Sequence, residues 1–205
     1  MQTLAKVLHH DAKNGVTGSC HQISIDDNHS FLVDCGLFQG AETSTEGRAS
    51  SEQLSIEFDI SSVQALIVTH VHIDHVGRIP YLLAAGFKGP IICSEPSAQL
   101  LPIVLEDAFK LGVSRDQQLV EQYIKLIASR IIALPYNQWL PLLKAPLPAV
   151  NIRLQRAGHI LGSAYIELEI QQPKKTKQRV VFSGDLGGPY APILAAAKPA
   201  YRADL

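Results

Sequence analysis

The sequence predicts an α/β protein built from layers of strands and helices. Short runs of apolar and β-branched residues bounded by turn residues predict strands, and two long central segments have helical periodicity. The strands do not alternate strictly with helices, which favours a layered sandwich. A chain of 205 residues is long enough for one sizeable domain with a buried core, so we expect residues 1–205 to form one domain.

The first half of the chain predicts strands separated by turns. Three segments have the pattern of strands, namely 3–9, 20–26 and 30–34, and residues 26–29 (DDNH) predict a hairpin turn. Residues 40–55 are small and polar, which predicts a loop. Residues 63–69 form a continuous apolar run, typical of a strand that is buried on both faces.

The second half combines helices with further strands. Helices are predicted at 76–85, where Gly86 stops the helix, at 96–111 and at 115–131, where apolar residues recur every four positions. Strands are predicted at 90–94, 150–155, 164–171 and 178–183, with a basic turn at 173–178 between the last two.

Composition limits the classes of function. The net charge of -1 and the pI near 6.7 lack the basic excess of a dedicated nucleic-acid-binding domain. Cys20, Cys35 and Cys93 are odd in number and have no CxxC spacing, which favours buried free thiols in a reducing cytoplasm. We find no signal peptide and no apolar run of membrane-spanning length, so no membrane partner is expected.

The segment THVHIDHVG, residues 69–77, concentrates potential metal ligands after a predicted buried strand. In an extended chain His70 and His72 point to the same side, and Asp74 and His75 follow in the turn. Imidazole nitrogen and carboxylate oxygen are ligands that zinc takes in proteins. A single buried histidine is usually only a hydrogen-bonded core residue, but HxHxDH spacing is poorly explained in that way. The segment therefore predicts a zinc site.

Three further residues end or follow predicted strands. His159 lies between glycines in GHILGS (158–163), and Asp185 lies in a tight turn in VFSGDLG (181–187). Asp34 ends the strand FLVDCG (31–36). A carboxylate in that position could accept the second N–H of a ligand histidine and so fix its tautomer.

These motifs resemble the metallo-β-lactamase superfamily and, within it, the β-CASP group of RNA-processing nucleases, such as RNase J and the cleavage and polyadenylation endonuclease. The matching pieces occur in order along nearly the whole chain. They are VTGSCH (16–21), VDCGLFQG (33–40), THVHIDHVGRIPYL (69–82), GFKGPIICSEP (86–96), AGHILGSA (157–164) and FSGDLG (182–187). HxHxDH alone indicates the superfamily, whereas the GRIP continuation and the AGHILGSA box point to the β-CASP group.

The resemblance implies a metallo-β-lactamase-like αββα sandwich with two zinc ions. It assigns His70, His72 and His159 to one zinc, Asp74 and His75 to the other, and Asp185 as a bridge between them. It implies catalytic roles for Asp74, His75 and Asp185, while Asp34 would support a ligand. The implied activity is hydrolysis of RNA phosphodiester bonds by a hydroxide that two zinc ions activate.

The resemblance also gives an expectation for the C-terminal end. The chain stops at Leu205, whereas family members continue through a β-CASP insertion and a closing segment with another zinc-ligating histidine. We therefore expect an N-terminal portion with an incomplete fold, little activity and a tendency to form homo-oligomers.

Two other functions remain open. The first is a small-molecule metallo-hydrolase such as a glyoxalase II-like thioesterase, and the second is an inactive metal-binding or assembly module.

Other residues have weaker signals. His21 and Asp11 are weak candidates for lining the site. The segment PYNQWLP (135–141) predicts a packed loop. His9, His10 and His29 lack partners at ligand spacing.

Overall fold

The structure is a computed structural model that describes residues 5–11, 17–38, 54–112, 114–144, 148–173 and 176–205. The side chain of Asp11 and most of the loop predicted at 40–55 lie outside the described residues, as does part of the turn predicted at 173–178.

The first sheet has six strands in the order β1-β2-β3-β4-β5-β6. These are β1 (Lys6–Asp11), β2 (Cys20–Ser24), β3 (Ser30–Val33), β4 (Val63–Ile67), β5 (Ile91–Ser94) and β6 (Ile131–Leu134). The pairs β1–β2 and β2–β3 are antiparallel, whereas β3 to β6 run parallel. The carboxyl ends of β3, β4 and β5 therefore meet at one edge of the sheet, and the candidate site lies there.

Four helices are described: α1 (Ile73–Val76), α2 (Ile79–Ala84), α3 (Glu95–Gly112) and α4 (Gln117–Arg130). The single helix predicted at 76–85 is wrong, because the chain forms α1 and α2 with a break between them. Gly77 lies so close to α1 that a Cβ would be 2.6 Å from the Ile73 carbonyl oxygen. Pro80, which has no N–H, is favoured in the first turn of a helix, and it lies there in α2.

The second sheet has four antiparallel strands in the order β10-β9-β8-β7. They are β7 (Trp139–Leu143), β8 (Ala149–Arg156), β9 (Ala164–Gln171) and β10 (Gln178–Phe182). The sequence prediction missed β6 and treated 135–141 as a loop, where β7 begins. β7 contains Pro141, which argues against a central strand but is tolerated here because β7 is at the sheet edge.

The core consists of two layers separated by the first sheet. Neighbouring strand residues point to opposite faces, so Phe31 and Ile67 pack between the two sheets, while Leu32 and Leu66 pack against the helices. All four described helices contribute to the second cluster, through Val76, Ile79, Leu82, Leu101, Leu105 and Ile127. The layers therefore follow the order helices, first sheet, second sheet, which confirms the predicted α/β sandwich class.

The C-terminal segment after β10 lies over the outer face of the second sheet. On that face the Tyr165 hydroxyl donates to the Pro199 carbonyl at 3.3 Å, and at the free edge of β10 the Val181 backbone N–H donates to the Leu205 carbonyl at 2.9 Å. Cys20, Cys35 and Cys93 are buried and are not joined in disulfides, as predicted. In the described part of the chain, each helix is too short or too polar to span a bilayer.

Candidate metal centre

The HxHxDH segment directly follows β4, at the edge where the parallel strands end. The Val68 backbone N–H still donates to a carbonyl of β5 at 2.8 Å, so the chain stays extended almost to His70. It then turns into α1, which carries Asp74 and His75. The change from strand to a single helical turn brings the ligand-type side chains of this segment into one small volume.

Three imidazoles and one carboxylate converge above this edge. His70 Nε2 lies 3.1 Å from His72 Nδ1, and His159 Nε2 lies 3.2 Å from the same nitrogen. Asp185 Oδ2 is 3.9 Å from His70 Nε2 and 3.6 Å from His159 Nε2. One ligand atom from each of the four residues lies within 4.8 Å of all the others. His159 comes from the β8–β9 loop and Asp185 from the turn after β10, so the cluster joins both sheets.

This donor set fits a zinc-like cation. Ligand atoms on one tetrahedral zinc at about 2.0–2.1 Å are about 3.3 Å apart, close to the separations of 3.1, 3.2 and 3.6 Å found here, and the His70–Asp185 separation of 3.9 Å is somewhat wider. Burial, together with the neighbouring imidazoles of His75, His72 and His159, lowers the pKa of His70 to about 2. The His70 ring is therefore neutral, as a metal ligand has to be. The cluster indicates metal binding.

Asp185 also faces a second group of side chains. Its Oδ1 lies 3.5 Å from His75 Nε2, whereas its Oδ2 faces His70 and His159. Asp74 Oδ2 lies 3.9 Å from the same His75 nitrogen. One oxygen of this carboxylate thus faces two imidazole nitrogens, and the other faces the single Nε2 of His75.

Asp34 lies behind this second group and is buried. Its Oδ2 accepts from His75 Nδ1 at 2.7 Å and from the Thr69 hydroxyl at 2.8 Å. Because the Thr69 hydroxyl gives its proton to Asp34, it accepts from His70 Nδ1, which is 3.1 Å away. These bonds place the N–H of both His70 and His75 on Nδ1, and so leave each Nε2 lone pair directed at the site.

The electrostatics of His75 differ from those of His70. Burial disfavours a charge on His75, but the hydrogen bond and charge of Asp34, with the charges of Asp74 and Asp185, outweigh burial and raise its pKa. The concentration of negative charge around His75 is the environment that a bound cation would neutralise.

Comparison with known proteins shows the family to which the whole sequence belongs. The family model of the metallo-beta-lactamase superfamily matches residues 15–204. The chain belongs to the metallo-β-lactamase superfamily.

Curated relatives include proteins named as a ribonuclease, a transcription termination factor and a cleavage and polyadenylation factor. The chain is 33% identical to Ribonuclease TTHA0252 of Thermus thermophilus over 89% of this chain and 38% of that protein. It is 32% identical to Transcription termination factor FttA of Cenarchaeum symbiosum, over 82% of this chain and 25% of that protein. It is 29% identical to Cleavage and polyadenylation specificity factor subunit 3-II of Arabidopsis thaliana, over 88% of this chain and 28% of that protein.

These relatives confirm the resemblance to the β-CASP group that the motifs indicate. The chain spans only 25–38% of the length of these three proteins. Among solved structures, a metallo-β-lactamase of Cronobacter sakazakii with a HARLDQ motif matches with a TM-score of 0.51 and 16% identity, over 87% of this chain and 57% of that one. This likeness supports the metallo-β-lactamase fold.

The structure brings every predicted site residue to one edge of the molecule. His70, His72, His159 and Asp185 form the cluster, and Asp74, His75 and Asp34 lie beside it. The assignment of individual ligands and catalytic roles stays a prediction.

His21 lies in a cavity beside this cluster. The register of the first sheet pairs His21 with His9 on β1 and with Val33, the residue before Asp34. His9 Nδ1 and His21 Nδ1 are 2.9 Å apart, and both rings line a cavity of about 360 Å³ that Asp34 and Asp185 also line. The structure thus brings His9 to the site as well, although sequence spacing gave no reason to expect it.

Sequence reasoning also missed Thr69 and Ser19. Thr69 links Asp34 to His70, and the Ser19 hydroxyl lies 3.3 Å from His21 Nε2 and 3.5 Å from Asp34 Oδ2. Both residues fall inside the quoted motifs, at 69–77 and 16–21. Their position inside these motifs was the only signal, because a hydroxyl has no ligand spacing of its own.

Proposed function

We propose that this chain carries the metal-binding core of a zinc-dependent nuclease that hydrolyses RNA phosphodiester bonds. The relatives named as a ribonuclease and as a cleavage and polyadenylation factor support an RNA substrate. The observation that carries the proposal is the placement of Asp185, whose Oδ2 faces His70 and His159 while its Oδ1 faces His75. That arrangement suits two cations held side by side.

We propose His70, His72 and His159 as ligands of one zinc ion, and Asp74 and His75 as ligands of a second, with Asp185 between them. Bound zinc would polarise the phosphoryl group and bring the pKa of a coordinated water toward ~7. Asp34 and Thr69 hold the tautomers of His75 and His70, so that each Nε2 faces the site. Asp74 and Asp185 supply the negative charge that keeps the two cations close together.

The two proposed sites differ in their ligands. The first has three imidazoles and the shared Asp185 carboxylate, whereas the second has one imidazole, the Asp74 carboxylate and the shared one within the described residues. Zinc sites in proteins usually have four ligands, with nitrogen and sulfur preferred. We therefore expect the first site to bind zinc more tightly than the second.

The test is zinc analysis of the purified chain together with hydrolysis assays on labelled RNA, labelled single-stranded DNA and a thioester. The proposal is supported if the chain cleaves RNA only with zinc. His72→Ala should abolish this cleavage, and His29→Ala should retain it. His29 is a matched control, because it pairs with Asp26 in the β2–β3 turn. Thioester hydrolysis without RNA cleavage would favour the small-molecule enzyme, and zinc binding without either activity would favour the metal-binding module.

We also propose that residues 1–205 form one domain and that this domain self-associates. β6 lies at the edge of the first sheet and exposes Ile132, whose relative solvent exposure is 40%. An apolar edge strand is a surface at which a second chain can add. Light scattering should give a mass above that of the monomer, which Ile132→Lys lowers, whereas a strictly monomeric parent would contradict this expectation.

A further inference from the structure

The loop that carries His159 is compact in itself. The Ser163 hydroxyl accepts from the backbone N–H of His159 at 3.0 Å and from that of Ile160 at 3.2 Å. The Ser163 backbone N–H in turn donates to the Ile160 carbonyl at 3.0 Å. The loop is thus a small hydrogen-bonded unit, and contacts with the rest of the molecule decide where it holds His159.

One such contact comes from the first sheet and the helix that follows it. The Gly162 carbonyl accepts from the Ser94 hydroxyl at 2.6 Å and from the Ser97 hydroxyl at 3.0 Å. Ser94 is the last residue of β5, and Ser97 lies in the first turn of α3. Both serines are completely or almost completely buried. Two buried donors on one carbonyl fix its position from two directions.

The loop fits closely against these serines. Gly162 has a φ of +88°, in the left-handed region that favours glycine. A Cβ at this position would lie 2.6 Å from the Ser97 hydroxyl oxygen, so the contact requires the absence of a side chain. Gly162, Ser94 and Ser97 therefore form one packed unit between the His159 loop and the start of α3.

We infer that Ser97, assisted by Ser94, is a positioning residue for the metal site, because it holds the Gly162 carbonyl and thereby fixes His159 toward His72. The inference rests on the proposed role of His159 as a metal ligand. His159 is only partly buried, and its Nε2 has to come within bonding distance of the same cation as His70 and His72. A loop held from outside brings that nitrogen into place before the cation arrives, and this preorganisation raises the affinity for metal.

Ser97 is the informative residue of the pair. The Ser94 hydroxyl also accepts from the Ser97 backbone N–H at 3.3 Å, so it serves as a helix cap in addition. Within the described part of the chain, the hydrogen bond of the Ser97 hydroxyl goes to Gly162. Ser97→Ala therefore removes one of the two hydrogen bonds to the Gly162 carbonyl and leaves the cap in place.

The test is titration of the metal-free 205-residue chain with Co²⁺, monitored by the visible absorption of the bound ion. The experiment is done at a temperature at which circular dichroism shows every variant fully folded. We expect Ser97→Ala to weaken Co²⁺ binding by roughly tenfold, the lower end of the range for residues that support ligands. We also expect an altered absorption spectrum, because the His159 nitrogen would be less well placed.

Two control variants separate positioning from stability. Ser129→Ala removes an exposed serine of α4 whose hydroxyl donates to the Leu126 carbonyl, and Ile127→Val makes a cavity in the buried face of α4. Both should keep the Co²⁺ affinity and spectrum of the parent. Unchanged Co²⁺ affinity in Ser97→Ala, or an equal loss in Ile127→Val, would overturn the inference. A parent chain that binds no Co²⁺ would instead contradict the proposed metal centre.

Discussion

At the scale of single residues, Asp34 is not a proposed ligand, but its hydrogen bonds orient residues that are. Its Oδ1 accepts from the Thr69 backbone N–H at 2.8 Å, while its Oδ2 accepts from the Thr69 hydroxyl and from His75. Asp34 itself has a φ of 60°, a left-handed conformation that aspartate tolerates better than most residues. One buried carboxylate therefore sets the direction of the HxHxDH segment and the tautomers of two histidines.

We expect Asp34→Ala to retain metal binding but to weaken it by roughly 10–100-fold, the usual cost of removing a group that orients a ligand. Isothermal titration with Zn²⁺ measures the change. Asp59→Ala is the matched control, because Asp59 lies in an exposed turn where it accepts from Ser61. Equal Zn²⁺ affinity of Asp34→Ala and the parent would contradict the orienting role.

We expect His72→Ala to abolish the tighter zinc site, because it leaves two imidazoles and the shared carboxylate of a cluster that has three imidazoles and that carboxylate. The zinc content of the purified variant, measured by atomic emission, should fall by one ion per chain relative to the parent. His29→Ala should leave the content unchanged. A His72→Ala protein with the zinc content of the parent would exclude His72 as a ligand.

At the scale of elements, local sequence patterns predicted most of the strands. Those predicted at 20–26, 30–34, 63–69, 90–94, 150–155, 164–171 and 178–183 are confirmed, with ends shifted by no more than two residues. β6 and β7 were missed because Ile131 and Ile132 continue the periodicity of α4, and because Pro141 interrupts the next strand. Pairing with β5 and β8 determines these two edge strands, and such pairing is not visible in the local sequence.

The site shows the same division between local and long-range information. HxHxDH is a local pattern, so His70, His72, Asp74 and His75 could be predicted from spacing. His159 could be assigned only through family resemblance, since its position depends on the approach of the two sheets. His9 reaches the cavity through its register with His21, which a single sequence does not specify.

Glu169 on β9 gives a prediction for the second sheet. It accepts from Lys177 Nζ at 2.6 Å and from Arg179 at 2.5 Å. Burial raises the pKa of Glu169, but these two hydrogen bonds and charges outweigh burial and lower it below the ordinary value of 4.5. Because the pKa is lower in the folded protein, the ionised carboxylate stabilises the fold above pH ~4.5, and this contribution is lost as the pH falls through the folded value.

The free energy of unfolding of Glu169→Gln should therefore decrease less than that of the parent between pH 6 and pH 3. The expected difference is about 0.5 kcal/mol, since solvent screens this partly exposed cluster. Urea unfolding at each pH measures it. Glu121→Gln, which removes an exposed partner of Lys125 on α4, should follow the parent. A Glu169→Gln profile that is parallel to that of the parent would show that the ion pairs contribute nothing.

At the scale of the whole molecule, the two sheets act as a frame that brings separate loops to one edge. The first sheet contributes Asp34 and the HxHxDH segment, and the second contributes His159 and Asp185. The Ala164 backbone N–H donates to the Thr69 carbonyl at 2.8 Å, and the Gly187 N–H donates to the Ala157 carbonyl at 2.9 Å. These bonds connect the three loops that carry the proposed ligands, so the metal centre depends on the packing of both sheets.

The measurement that tests this account most directly is the anomalous diffraction of zinc-loaded crystals at the zinc absorption edge. The account predicts one peak about 2.0–2.1 Å from nitrogens of His70, His72 and His159. It predicts a second, weaker peak beside His75 and Asp74, about 3.5–4 Å from the first, with Asp185 between the two. Zinc bound elsewhere on the chain, or crystals with these three imidazoles turned away from one another, would contradict it.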